Sequence, residues 1–231
     1  MKMHILGAAA LMAAALPVQA ATFNAWADFS IAANPNGPWR YGFGTPGVSF
    51  TPFTDATPTF NGVAVFPGWF SPSEPFLVPV VLANNTGAVL VTGTATVPAD
   101  SLLLHPGVTD DLAAIVQFVA PTSAIYDYVF NFANADFGFV DVSVDVNGTS
   151  LFSQSALFGS AGAAGFVALS AGDVVSFVVG RAGSFFNDST AFTATLTSRD
   201  PGGEVPVPAP ASLALLLAGI GVLGAARRGA R

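Results

Sequence analysis

The chain has 231 residues, with 14 acidic residues against 7 lysines and arginines, 24 glycines, 17 prolines, 21 phenylalanines and no cysteine. The lack of cysteine excludes a disulfide framework and thiol chemistry. The net charge of -7 excludes an electrostatic footprint for nucleic acid or an anionic lipid surface, and abundant aromatics with few charges exclude a disordered chain.

Residues 1–20 open with Lys2, continue through the apolar run from Ile5 to Leu16, and end in Val18-Gln19-Ala20. A short positive region, an apolar stretch and small residues before the cut are a secretory signal peptide. The exported chain then begins at Ala21. From there to Arg199 the positive charges are Arg40, Arg181 and Arg199.

Residues 21–75 are rich in Pro, Gly and aromatics and show weak periodicity, which predicts long loops and short edge strands. Pro79 to Leu82 predicts a short strand, Asn84 to Gly87 a turn, and Ala88 to Val97 a Thr-rich alternating strand. Apolar runs at Ser101–Leu104 and Leu112–Val119 are separated by His105-Pro106-Gly107. The clearest pattern follows. Tyr126, Tyr128, Phe130 and Phe132 share one strand face. Next, Val140, Val142, Val144 and Val146 alternate with Asp141, Ser143 and Asp145, which predicts a valine row inward and a polar row facing solvent. Asn147-Gly148 predicts a tight hairpin, because a type I′ turn needs positive φ at both central residues. Leu151–Phe158, Phe166–Leu169 and Val174–Val179 predict further strands, with Gly159–Gly165 as a loop. In residues 190–197, Phe192, Ala194 and Leu196 face inward. Eight or nine short strands at spacings of roughly ten residues predict an all-β, jelly-roll-like sandwich over residues 21–199.

Residues 200–207 form a Pro-rich linker. The remaining segment, 208–231, carries Pro208-Ala209-Pro210, an uncharged apolar run over about 211–226, and the basic tail 227–231 with Arg227, Arg228 and Arg231. As a helix at ~1.5 Å per residue the run covers about 24 Å. It predicts a single transmembrane helix at the short limit for a hydrocarbon core of about 30 Å. Its arginines belong on the cytoplasmic side, which leaves the domain outside.

The N-terminal signal together with this tripartite tail resembles the PEP-CTERM family of exported bacterial proteins. The family signature is Pro-Glu-Pro; here Ala209 stands at the central position. The resemblance implies sorting by an exosortase-type membrane enzyme, and a place at the cell surface or in the extracellular matrix of a Gram-negative bacterium that makes exopolysaccharide. The domain, in stretches such as LLLHPG, VDVNGTSLFS and LSAGDVVSFVVG, resembles a β-domain found upstream of such tails. That resemblance implies a jelly roll similar in outline to carbohydrate-binding modules, and no catalytic activity.

The candidate chemistry is sparse. His105, the one histidine of the exported part, reads as a turn residue bonded to backbone. Neither a zinc site nor a Cys/His pair is available. Asp110/Asp111 and Asp141/Asp145 are the nearest carboxylate pairs. On one strand face Asp141 and Asp145 stand about 13 Å apart, too far for a glycosidase. Calcium is the ion the aspartates could hold, with Asp141 and Asp145 as weak ligand candidates beside Asp127, Asp136, Asp173 and Asp188. Trp39, Tyr41 and Trp69, in Pro/Gly-rich stretches, are candidate glycan contacts. The sequence therefore points to an exported, non-enzymatic surface or matrix protein without a cofactor, with a carbohydrate-binding module as the alternative and an atypical hydrolase as the remote one.

Overall fold

In the computed structural model, which describes residues 20–60 and 62–199, two antiparallel sheets face each other across an aromatic core. The first strands are β1 (Thr22–Asn24), β2 (Trp39–Gly44), β3 (Thr51–Pro52), β4 (Asp55–Thr57) and β5 (Gly68–Phe70). After a 3-10 turn at Pro75–Leu77 come β6 (Val80–Ala83), β7 (Leu90–Thr92), β8 (Ala95–Val97), β9 (Leu102–His105) and β10 (Ala113–Val119). The long strands close the chain: β11 (Ala124–Asn134), β12 (Val140–Val146), β13 (Thr149–Leu157), β14 (Ser160–Leu169), β15 (Val174–Arg181) and β16 (Thr190–Ser198).

The larger sheet runs β14-β11-β16-β9-β6-β5-β4, with β1 also paired to β16. The smaller sheet runs β13-β12-β15-β10-β2-β3. From β9 onward the chain changes sheet at every connection except the β12–β13 hairpin. That hairpin turns at Asn147 and Gly148, with φ of 50° and 79°, as the Asn-Gly pair predicts.

Alternation places the core. Val140, Val142 and Val144 of β12 point inward against Tyr126, Phe130 and Phe132 of β11. Rings of Phe130, Phe177 and Phe192 meet at centroid distances of 5.1 to 5.9 Å, separations at which tilted aromatic pairs are favourable. β6 has no polar face. Val81 and Ala83 enter the main core, while Val80 and Leu82 enter a second cluster with Phe60, Phe66 and Leu103 on the outside of the larger sheet. Phe60, Val63, Phe66 and the β7–β8 hairpin contribute to that cluster, so a continuous apolar run is what β6 requires. The buried Asn84 pins the base of this hairpin, donating to the carbonyls of Ala88, Val97 and Pro98.

Several expectations change. The alternating segment 88–97 is not one strand but the β7–β8 hairpin, turned at Gly93 with φ 58°. The Gly/Ala stretch expected as a loop is the first half of β14, paired with β11 along ten residues. Its small residues are used: a Cβ on Gly165 would come within 2.7 Å of the Tyr128 hydroxyl. Residues 21–75, expected as loops and edge strands, supply β2, which lies between β10 and β3 in the smaller sheet. The signal peptide, linker, transmembrane helix and basic tail read from the sequence lie outside the described residues.

Candidate functional site

An aromatic cleft opens on the outer side of the larger sheet. Its mouth is built by two loops. In the first, SPSEPFLVP, Pro75 opens a 3-10 turn whose Phe76 and Leu77 both sit in the left-handed region, at φ 63° and 59°. Such backbone costs on the order of 1–3 kcal/mol per non-glycine residue and collects at functional sites. Here it holds Phe76 69% exposed. The second loop, 182–189, crosses from β15 in one sheet to β16 in the other, and leaves Phe186 62% exposed. The rings assemble: Phe76 lies 5.4 Å from Phe185 and 6.3 Å from Phe186, and Phe185 and Phe186 are 4.2 Å apart.

Below this trio is a cleft of about 290 Å³. Phe60, Phe66, Val80, Leu82 and Leu103 supply apolar wall. Thr92, His105, Asn187 and Ser189 supply polar atoms. His105 ends β9, opposite Val80 of β6. Its Nδ1 lies 2.7 Å from the Pro106 carbonyl oxygen. A carbonyl accepts only, so Nδ1 carries the hydrogen and Nε2 is left as an acceptor in the neutral ring. Burial holds the ring pKa below its ordinary value, outweighing the Pro106 carbonyl and the charge of Asp136. The backbone bond foreseen for this histidine is present, and its ring also lines a cleft.

Between Asn187 and Ser189 stands Asp188, a carboxylate 0% exposed. Burial, then the charge of Asp136, raises its pKa to about 7, with Arg181 opposing and Asp141 adding a little.

The smaller sheet carries two further clefts on its outer face, of about 240 and 520 Å³. Between them residues 45–50 cross the sheet, with Phe50 packed on Ile115 and Val178. That crossing corrects the reading of Asp145 as a solvent-facing residue. Asp145 is 8% exposed, under Gly47 to Phe50, and accepts from Ser143 Oγ at 3.1 Å. Asp141 stays exposed and accepts from the Ala156 N–H at 2.8 Å. The two weak calcium candidates therefore line different clefts and do not converge. Asp110 pairs with Arg181 at 2.7 Å, its side chain 83% exposed.

The aromatics named from the sequence as glycan contacts are core residues. Trp39 and Tyr41 are 0% exposed and Trp69 5%. The indole N–H groups of Trp39 and Trp69 donate to Asp28 Oδ2 and the Ser30 carbonyl. Tyr41 packs edge-on against Phe29 at 4.9 Å, and its buried hydroxyl finds no partner among the described residues. Strand pairing of β2 and β5 draws all three inward. The Phe76/Phe185/Phe186 trio was missed. Its signal was present as a Phe-Phe pair in a Gly/Ser/Asn loop and a lone Phe between prolines, outside any alternating strand. Pro208, Ala209, Pro210, Arg227 and Arg228 of the sorting motif lie outside the described residues.

No family model matches the chain, and no curated protein matches it. Among solved structures the fold is similar to a family 35 carbohydrate binding module from an environmental isolate, at 12% identity over 58% of this chain and 84% of that one, TM-score 0.32. It is also similar to CBM51 from Clostridium perfringens, in complex with methyl-galactose, at 12% identity over 63% and 94%, TM-score 0.35. Rabbit GITRL matches at 12% identity over 38% and 73%, TM-score 0.29. Likeness at this level carries nothing about ligand or site.

Proposed function

We propose that this chain is an exported, non-enzymatic surface or matrix protein, held by its PEP-CTERM-like tail, whose β-sandwich binds glycan through the aromatic cleft. The observation that carries the reading is the pair of exposed rings, Phe76 and Phe186, gathered with the half-buried Phe185 over a cleft that also offers Thr92, His105 and Asn187. A pyranose has one face of C–H groups and a rim of hydroxyls. The rings suit the face; the hydroxyl, imidazole and amide suit the rim. Phe76, an exposed ring on left-handed backbone, is costly to keep for packing alone.

The strand order supports a jelly roll: β9 to β16 wind as two four-stranded layers, β14-β11-β16-β9 and β13-β12-β15-β10. A binding role is also favoured over hydrolysis. A glycosidase needs a carboxyl kept protonated in an apolar setting beside its partner and open to substrate. Asp110, which shares the larger cleft of the smaller sheet with Asp141, is instead an exposed partner of Arg181. Asp188, raised by burial, is 0% exposed and does not line the aromatic cleft.

Affinity electrophoresis against a panel of bacterial polysaccharides tests the binding. At least one polysaccharide is expected to retard the protein, and Phe186→Ala to remove the retardation. Equal mobility across the panel would overturn the reading. The tail is tested by deleting residues 208–231. The truncated protein is expected in the medium; its persistence in the membrane pellet would remove the anchor.

A further inference from the structure

The glycan reading leaves Asp188 unused. Its neighbours Asn187 and Ser189 line the cleft, but its own carboxylate is wholly buried, and neither Oδ1 nor Oδ2 has a hydrogen-bond partner among the described residues. A buried carboxylate left unpaired is among the costliest arrangements in a protein, and is relieved by pairing, by protonation or by a metal. Among the described residues no cation pairs with it, and Arg181 eases it only from a distance. Among the described residues the ion pairs are Arg181 with Asp110 and Arg199 with Asp127.

Three segments are tied together at residues 187–189. The 134–139 loop is tied to the 187–189 segment by the bonds from Ala135 N to Ser189 O and from Gly138 N to Asn187 O, 2.9 and 2.7 Å. The β7–β8 hairpin joins through Thr96 N to Ala135 O at 2.7 Å, and through Thr94 Oγ1 to Asp136 Oδ2 at 2.9 Å. Gly138 leaves room for the arrangement. A Cβ there would collide with Asp188 Oδ1 and stand 2.6 Å from the Asn187 carbonyl oxygen. Thr94 Oγ1 also lies 3.4 Å from Asn187 Oδ1, so oxygens of Asp136 and Asn187 already gather around the Thr94 hydroxyl.

We propose that Asp188 anchors a divalent cation, calcium by its chemistry, with Asp136 as the second carboxylate. Among the described residues no three Asp, Glu, His or Cys side chains converge. The other ligands must then be neutral oxygens from carbonyl, hydroxyl, amide and water. That set suits a hard cation with six to eight oxygen ligands and not zinc. Two carboxylates place the affinity in the weak class of extracellular calcium modules, with Kd on the order of 10⁻⁴–10⁻³ M. The ion would clamp the 182–189 loop to the 134–139 loop.

The test is a melt of the full chain, stripped with EDTA and titrated with calcium chloride, beside calorimetric titration of the same protein. Saturable binding and an upward Tm shift of about 3–6 °C at a tenfold excess over Kd are expected. Asp188→Asn keeps the shape and removes the charge. It should lose the shift while melting in EDTA no lower than the parent, and Asp136→Asn should weaken binding at least tenfold. Asp141→Asn, on the outer strand face, should keep the full response. A parent protein whose melt and calorimetry ignore calcium overturns the proposal, and so does a full response in Asp188→Asn. If either variant fails to fold, the stripped parent alone decides.

Discussion

Trp39 and Phe186 both sit in stretches rich in Gly, Pro, Ser or Asn, yet one is wholly buried and the other 62% exposed. The difference is strand pairing. Trp39 begins β2, which bonds to β10 on one side and β3 on the other, and its ring meets Phe118 edge-on at 5.3 Å. Phe186 lies in a connection between sheets, where no ladder draws it in. An aromatic in a loop-like sequence is therefore a binding candidate only after the partners of its backbone are known.

The largest effect is expected on the buried side of that comparison. Trp39→Ala removes a fully buried indole and one of the two bonds to Asp28 Oδ2, and should cost about 3–5 kcal/mol in urea unfolding. If this variant melts like its parent, β2 is not a core strand. Val144→Asp should cost about 4 kcal/mol or more, since it places an unpaired charge between the sheets. Asp145→Ala, one residue on, loses one bond from Ser143 and should cost about 1 kcal/mol. Equal melts for these two variants would contradict the register of β12. Gly165→Val forces a side chain against Tyr128 and should cost about 1–3 kcal/mol. Phe186→Ala should change stability by no more than about 0.5 kcal/mol, because its ring is not part of the core.

The alternation of β11, β12 and β16 and the turn at Asn147-Gly148 were legible because they are local and periodic. β14 was not, since Ala and Gly carry little strand propensity. Pairing to β11 makes that strand, and propensity yields to such context. The burial of Asp145 depends on residues 45–50, about a hundred positions away, so no local pattern reports it. The cleft had the same difficulty. Phe76 and Phe186 come from distant loops without periodicity, and their meeting is a consequence of the chain changing sheets.

The comparison of buried and exposed aromatics is decided most directly by calorimetric titration of the parent and Phe186→Ala with oligosaccharide cut from a polysaccharide that retards the protein. The account predicts a Kd at least tenfold weaker in the variant, with both proteins melting within about 2 °C of each other. An unchanged Kd would contradict it and place the glycan contacts outside the aromatic cleft.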